Sequence, residues 1–145
     1  MSEAAHIDAI VAFFETLTAQ TVARCGDIYA PDARFKDPFN EVQGQAEIER
    51  IYRHMFEALQ APRFVVHERI GSGSQYFLTW DFHFRFKSFS PAVTQTVRGG
   101  SHLQLDTQGR ITLHRDYWDA AEELYEKLPA IGSLMRWLKH KASTG

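Results

Sequence analysis

The chain has 145 residues, with 16 basic against 18 acidic ones, a formal charge of -2, 44% apolar and 23% charged positions. These values are ordinary for one globular domain, so residues 1–145 are read as one, and they exclude a disordered tail, a collagen-like fibre and a nucleic-acid binder driven by bulk positive charge. The departure from average is the 13% aromatic content, with 11 Phe, 5 Tyr and 3 Trp, which is bulk enough for a large core or the wall of an apolar cavity.

Met1 to His6 has neither a basic n-region nor a long apolar h-region, and is not read as a signal peptide. Ile7, Ile10, Val11, Phe14 and Leu17 then recur at helical spacing. A second, shorter helical stretch is expected over Thr21–Tyr29. It holds Cys25, the chain's one cysteine, which cannot pair internally and so fits a reducing compartment. Pro31 and Asp32 end it, Ala33–Lys36 reads as a short strand, and Asp37-Pro38-Phe39-Asn40 reads as a turn. Gly44 to Leu59 is helical again, with Ile48, Ile51, Tyr52, Met55, Phe56 and Leu59 on one side.

After Pro62 the period changes to two. Arg63–Ile70 is expected as a strand, and Gly71-Ser72-Gly73-Ser74 as a hairpin turn. Leu78, Trp80, Phe82, Phe84 and Phe86 then alternate with polar residues, which makes a long strand with one aromatic face. Thr94–Asp106 is a third long strand whose Gly99-Gly100 pair marks a bulge or a close approach by a ligand or another backbone. Arg110–Trp118 is the last strand. Asp119 has the position of an N-cap for a helix over Ala120–Leu128, and Pro129 opens another that runs to about Lys141. No apolar run approaches the roughly 18 residues of a membrane span, so a soluble cytoplasmic protein is expected, with no membrane or nucleic-acid partner. The order, with helices before and after a curved antiparallel sheet, gives one α+β domain.

Two stretches carry a resemblance to a known family. They are Tyr29-Ala30-Pro31-Asp32-Ala33-Arg34-Phe35-Lys36-Asp37-Pro38-Phe39 with Gly44 and its helix, and His114-Arg115-Asp116-Tyr117-Trp118-Asp119. With the element order, they resemble the NTF2-like superfamily, in its SnoaL-like and ketosteroid isomerase-like branch. The resemblance implies a cone, in which a bent sheet is wrapped by helices around an apolar pocket. It also implies a homodimer formed through the sheet, a small apolar ligand and no cofactor. The ketosteroid isomerases place a general-base aspartate in an Asp-Pro turn, and Asp37 matches it. Their oxyanion hole uses a tyrosine and a protonated aspartate; Phe13 and Ser101 stand at those positions, so the resemblance implies an activity other than ketosteroid isomerisation. The SnoaL-like cyclases use an acidic residue late in the sheet, matched by Asp116. The limonene epoxide hydrolases use an Asp-Arg-Asp set, of which Arg98 and Asp116 can supply part.

The residues themselves weigh as follows. Asp37 is either a base at the pocket mouth or a turn residue bonded to its own backbone. His114 and Asp116 lie roughly 7 Å apart on one face of a strand. If Trp118 faces the pocket they do too, as an acid/base pair or as a satisfied polar network. The opposite register sends Ile111, Leu113, Arg115 and Tyr117 inward instead. Trp80, Phe82 and Phe84 are pocket wall or core. His67, His83 and His102 lack ligand spacing, and no metal site is expected. The function expected is acid/base chemistry of isomerase, cyclase or hydrolase type on an apolar carbonyl or epoxide compound, in which Asp37 or Asp116 moves a proton with His114 and Ser101 as hydrogen-bond partners. The alternatives are a non-catalytic ligand-binding or dimerisation module of the same fold.

Overall fold

The computed structural model describes residues 2–88 and 90–143. Helix α1 spans Glu3–Glu15. Its start is capped by Ser2, whose hydroxyl accepts from the Ala5 amide at 3.2 Å. Ile7, Ile10, Val11 and Phe14 form its buried stripe. A 3₁₀ turn at Thr21–Asp27 buries Val22 and Cys25. Strand β1 then covers Tyr29–Lys36 and β2 covers Glu41–Gln43. Helix α2 spans Gln45–Ala58 and buries Ile48 and Tyr52. Gly44 precedes it at φ +102, a conformation that glycine adopts without a Cβ penalty.

Four long strands follow: β3 (Leu59–Ser72), β4 (Gln75–Phe86), β5 (Gln95–Leu105) and β6 (Ile111–Tyr117). The chain closes with α3 (Ala120–Glu123), a 3₁₀ turn at Tyr125–Lys127 and α4 (Pro129–Ala142). The six strands form one sheet in the order β2-β1-β6-β5-β4-β3. Every neighbouring pair is antiparallel except β1 with β6, which run parallel. A wholly antiparallel sheet was the expectation; β1 enters beside the last strand from the far end of the sequence, and no hairpin dictates its direction. Among the described residues no helix is long and apolar enough to cross a membrane.

Prolines and bulges account for the shifted strand boundaries. β1 starts four residues early and runs through Pro31, where its register with β6 breaks between Tyr29 and Arg34. A proline has no N–H to give a ladder, so such a break accommodates it. β3 likewise starts at Leu59 and passes Pro62 by an irregularity between Gln60 and Arg63, with Ala61 at φ +50. β2 was not expected. It forms because the Asp37–Asn40 turn folds the chain back so that Phe35 pairs with Val42. The helix expected over Ala120–Leu128 is interrupted at Leu124, which has φ -122 and ψ -60. The Asp119 cap is present, accepting from the Glu122 amide at 3.1 Å.

The core lies between the inner face of the sheet and helices α1 and α2. Leu78, Trp80 and Phe84 of β4 are buried there, each contributing about 1.5–3 kcal/mol relative to exposure. Gly99 and Gly100 make no bulge, since the β4–β5 ladder is continuous from Gln75↔Gln104 to Phe84↔Gln95. What comes closest to them is not another backbone but aromatic side chains. A Cβ on Gly99 would stand 2.6 Å from the Trp80 ring and 3.0 Å from the Trp118 Cβ.

The last strand resolves both registers at once. Leu103 pairs with His114 and Ser101 with Asp116, so both residues lie on the inner face. The ladder slips between Gln104 and Leu105, leaving Thr112 as an extra residue that lets Ile111 turn inward as well. Ile111 is fully buried, whereas Leu113, Arg115 and Tyr117 line a concavity of about 590 Å3 on the opposite face.

Candidate active site

Two adjoining cavities open on the inner face. The larger, of about 520 Å3, lies between α2 and the aromatic strand. Its wall includes Phe35, Phe64, Trp80, Phe82, Phe84 and Trp118, and its polar lining includes Asp37, Asn40, Arg50, Tyr52, His54 and Asp116. The smaller, of about 20 Å3, shares Tyr52, Phe64, Trp80 and Asp116 with it and adds Phe14, Ser101 and His114. That volume suffices for a single water molecule.

At the junction, Asp116 is held from two sides. Ser101 Oγ donates to its Oδ1 at 2.5 Å, and His114 Nε2 lies 2.6 Å from the same oxygen. Trp80 Nε1 donates to Ser101 Oγ at 2.8 Å. The other ring nitrogen of His114, Nδ1, is 2.6 Å from the Tyr29 hydroxyl, which is 2.9 Å from that of Tyr52. Phe35 and Phe14 meet the His114 ring edge-on at 4.8 and 5.5 Å, and Tyr29 stacks on it. The His114 side chain is 4% exposed and that of Asp116 16%. A polar cluster this dry costs stability unless every member is bonded, and here each is.

The environment acts on the two phenols. Burial, reinforced by the neighbouring Tyr52, holds the Tyr29 hydroxyl well above its ordinary pKa of 10.0. Burial, and next the charge of Asp116, does the same for Tyr52. Both stay protonated as hydrogen-bonding groups. The Cys25 thiol, buried away from either cavity lining, is pushed up to about 12.

The structure brings Asp116, His114, Ser101 and Trp80 together, and places Phe82, Phe84 and Trp118 in the wall beside them. Asp37 sits at the edge of the larger cavity, but its Oδ1 accepts from the amides of Phe39 at 2.8 Å and Asn40 at 2.6 Å. Asn40 Nδ2 adds a bond of 3.2 Å to each oxygen. Phe13 lines neither cavity; its neighbour Phe14 does. Arg98 is not part of the site. Strand alternation turns it to the opposite face from Ser101, where its Nε donates to Glu123 at 3.0 Å. Tyr29 and Tyr52 were not singled out from sequence as site residues. The signal available was a phenol on each of two otherwise apolar faces, since a buried tyrosine hydroxyl requires a partner.

A family model for the SnoaL-like domain matches residues 10–114. No curated protein matches significantly in sequence. Among solved structures, an NTF2-like protein of unknown function from Burkholderia pseudomallei superposes with a TM-score of 0.71 at 18% identity, covering 84% of this chain and 95% of that one. A protein of ketosteroid isomerase-like fold from Catenulispora acidiphila, solved with trimethylamine, gives 0.70 at 14% identity over 82% and 88%. An LEH-like epoxide hydrolase of M. tuberculosis gives 0.69 at 18% identity over 95% and 94%. At these identities the likeness is one of fold.

Proposed function

The chain belongs to the SnoaL-like domain family, and on that premise we propose that it is a small-molecule enzyme, acting without a cofactor, that moves a proton on an apolar carbonyl or epoxide compound. The observation that carries this reading is Asp116, a carboxylate at the boundary of an aromatic cavity of about 520 Å3 whose Oδ1 is fixed by His114 and Ser101. Two donors on one oxygen hold the group in a single orientation. The other oxygen is left to take a proton from a carbon beside a carbonyl, or from a water attacking an epoxide. We assign the base to Asp116 rather than Asp37, because the Asp37 carboxylate is committed to its own turn. Phe82, Phe84 and Trp118 supply the flat apolar surface that excludes water.

The test is Asp116→Asn, which keeps the shape and removes the charge. A substrate is first found by thermal shift against apolar ketones and epoxides; a ligand at 100 times its dissociation constant adds about 2.7 kcal/mol. Asp116→Asn is expected to keep that shift while losing turnover by about 10²–10⁴-fold. Turnover equal to wild type would end the assignment. Ligand binding with no turnover in the wild type would favour the second reading, a binding protein, which the largely apolar lining also supports.

The homodimer is likewise proposed. The outer face of the sheet exposes Ile70 and Tyr117 beside Phe77, an apolar surface suited to a second copy. Light scattering is expected to give twice the chain mass of 16.7 kDa; a monomer at high concentration would refute it.

A further inference from the structure

Asp116 and Tyr52 both line the larger cavity, and an unbroken run of buried hydrogen bonds joins them through His114 and Tyr29. Its polarity follows from its donors. The Trp80 indole can only donate, so Ser101 Oγ accepts from it and gives its own proton to Asp116. With Asp116 ionised its Oδ1 can only accept, and the proton of its short bond to His114 sits on Nε2. The Nδ1 of a neutral ring is then an acceptor as well. Tyr29 donates to it, and Tyr52 donates to Tyr29. The proton of Tyr52 is spent inside the protein, and its oxygen meets the cavity as an acceptor.

We propose that this chain is a proton shuttle through which His114, which does not line the larger cavity, serves as base for an apolar substrate bearing a phenol or enol hydroxyl, with Tyr52 as the contacting group. The proposal keeps the cavity of the acid/base reading above but goes beyond it, with a different base, His114, and a different substrate class. In the forward step the substrate O–H bond breaks and its proton forms an O–H bond with Tyr52. The former proton of Tyr52 passes to Tyr29, and that of Tyr29 to His114 Nδ1. Three O–H bonds break, and two O–H bonds and one N–H bond form. The products are a substrate oxyanion and an imidazolium facing the Asp116 carboxylate. The polarity of the chain is now reversed, so the new Tyr52 O–H points at the oxyanion and stabilises it as it forms. This is the logic of an Asp-His-hydroxyl triad, with two phenols in place of one hydroxyl.

The probe is para-nitrophenol, whose absorbance reports its ionisation. At a pH where the free probe is neutral, wild-type protein is expected to bind it as the phenolate. Tyr29 lines neither cavity, so Tyr29→Phe is expected to bind the probe comparably but with at least a tenfold smaller ionised fraction, whereas Tyr52→Phe, which removes the contacting hydroxyl, is expected to lose both affinity and ionised fraction. A purely structural role for the tyrosines would not change the ionisation of bound probe. Equal ionisation in wild type and Tyr29→Phe, lost only in Asp116→Asn, would overturn the shuttle and leave Asp116 as the direct base. Probe bound in the neutral form by wild type would also overturn it, and the base reading would then stand or fall on Asp116→Asn turnover. If the cavity does not take up the probe, nitrogen NMR of histidine-labelled protein decides, with His114 identified by its loss in His114→Gln. A neutral ring protonated on Nε2 supports the shuttle; one protonated on Nδ1 overturns it.

Discussion

A phenol deprived of water must spend its hydroxyl on a partner, and Tyr29 and Tyr52 spend theirs on each other and on His114. The consequence is measurable in alkali. Both groups hold their protons above the ordinary value of 10.0, and Cys25 holds its own from 9.0 up to about 12. Below those ordinary values the folded and unfolded chains bind the same protons at these groups, and the stability they confer is complete. As the pH rises past them, the unfolded chain releases protons that the fold retains, so stability falls. Ionisation of Tyr29 and Tyr52 is therefore expected to coincide with loss of the near-ultraviolet circular dichroism signal. Phenolate absorbance from all five tyrosines while that signal is intact would contradict it. The sequence showed that His114 and Asp116 needed a reason to share an aromatic interior and named Ser101 as a partner of the aspartate, but not Trp80, Tyr29 or Tyr52. Two of the partners, Ser101 and Trp80, come from strands whose pairing only the folded sheet brings together, and Tyr29 lies 85 positions from His114. For Asp37, the Asp-Pro turn was legible both as a base and as a backbone-bonded turn, and the structure shows those backbone bonds.

Among the elements, β4 was the most legible, because aromatic and polar residues alternate along it without interruption. β1 and β3 were less so, since each passes through a proline that sequence grammar reads as a boundary. The glycine pair in β5 was read as a bulge or an approach by a ligand or another backbone, and the structure shows instead the aromatic side chains of Trp80 and Phe77 against it. Gly99 leaves the space that the Trp80 ring fills beside the Trp118 Cβ. Gly99→Ala is expected to cost about 1–3 kcal/mol by overpacking. It would also tilt Trp80 away from Ser101, weakening the bond that orients Asp116. Urea denaturation and tryptophan fluorescence report the two effects separately. A variant with an unchanged midpoint and spectrum would show that the close approach carries no strain.

At the scale of the whole molecule, the α+β class and the helix-sheet-helix order followed from periodicity, and the resemblance supplied the cone. What periodicity could not supply was the parallel contact of β1 with β6, which is a property of chain routing rather than of any local segment. It could not supply the cavity either, since along one apolar stripe Phe82 and Phe84 line the larger cavity while Leu78 is buried outside it. The slip at Thr112 has a consequence of its own. On its amino-terminal side the even rhythm of β6 serves one purpose, anchoring Ile111 beneath the sheet; past it the rhythm restarts and delivers His114 and Asp116. The strand thus has two reading frames, and the chemistry of the second is insulated from sequence drift in the first. Between Thr112 and His114, loss of a single residue would leave Ile111 in place yet exchange the histidine and its acid for Arg115 and Tyr117, and gain of one would exchange them for Leu113 and Arg115. A length change past Thr112 would thus remove the acid and its histidine from the inner face at one stroke while the core at Ile111 stays intact.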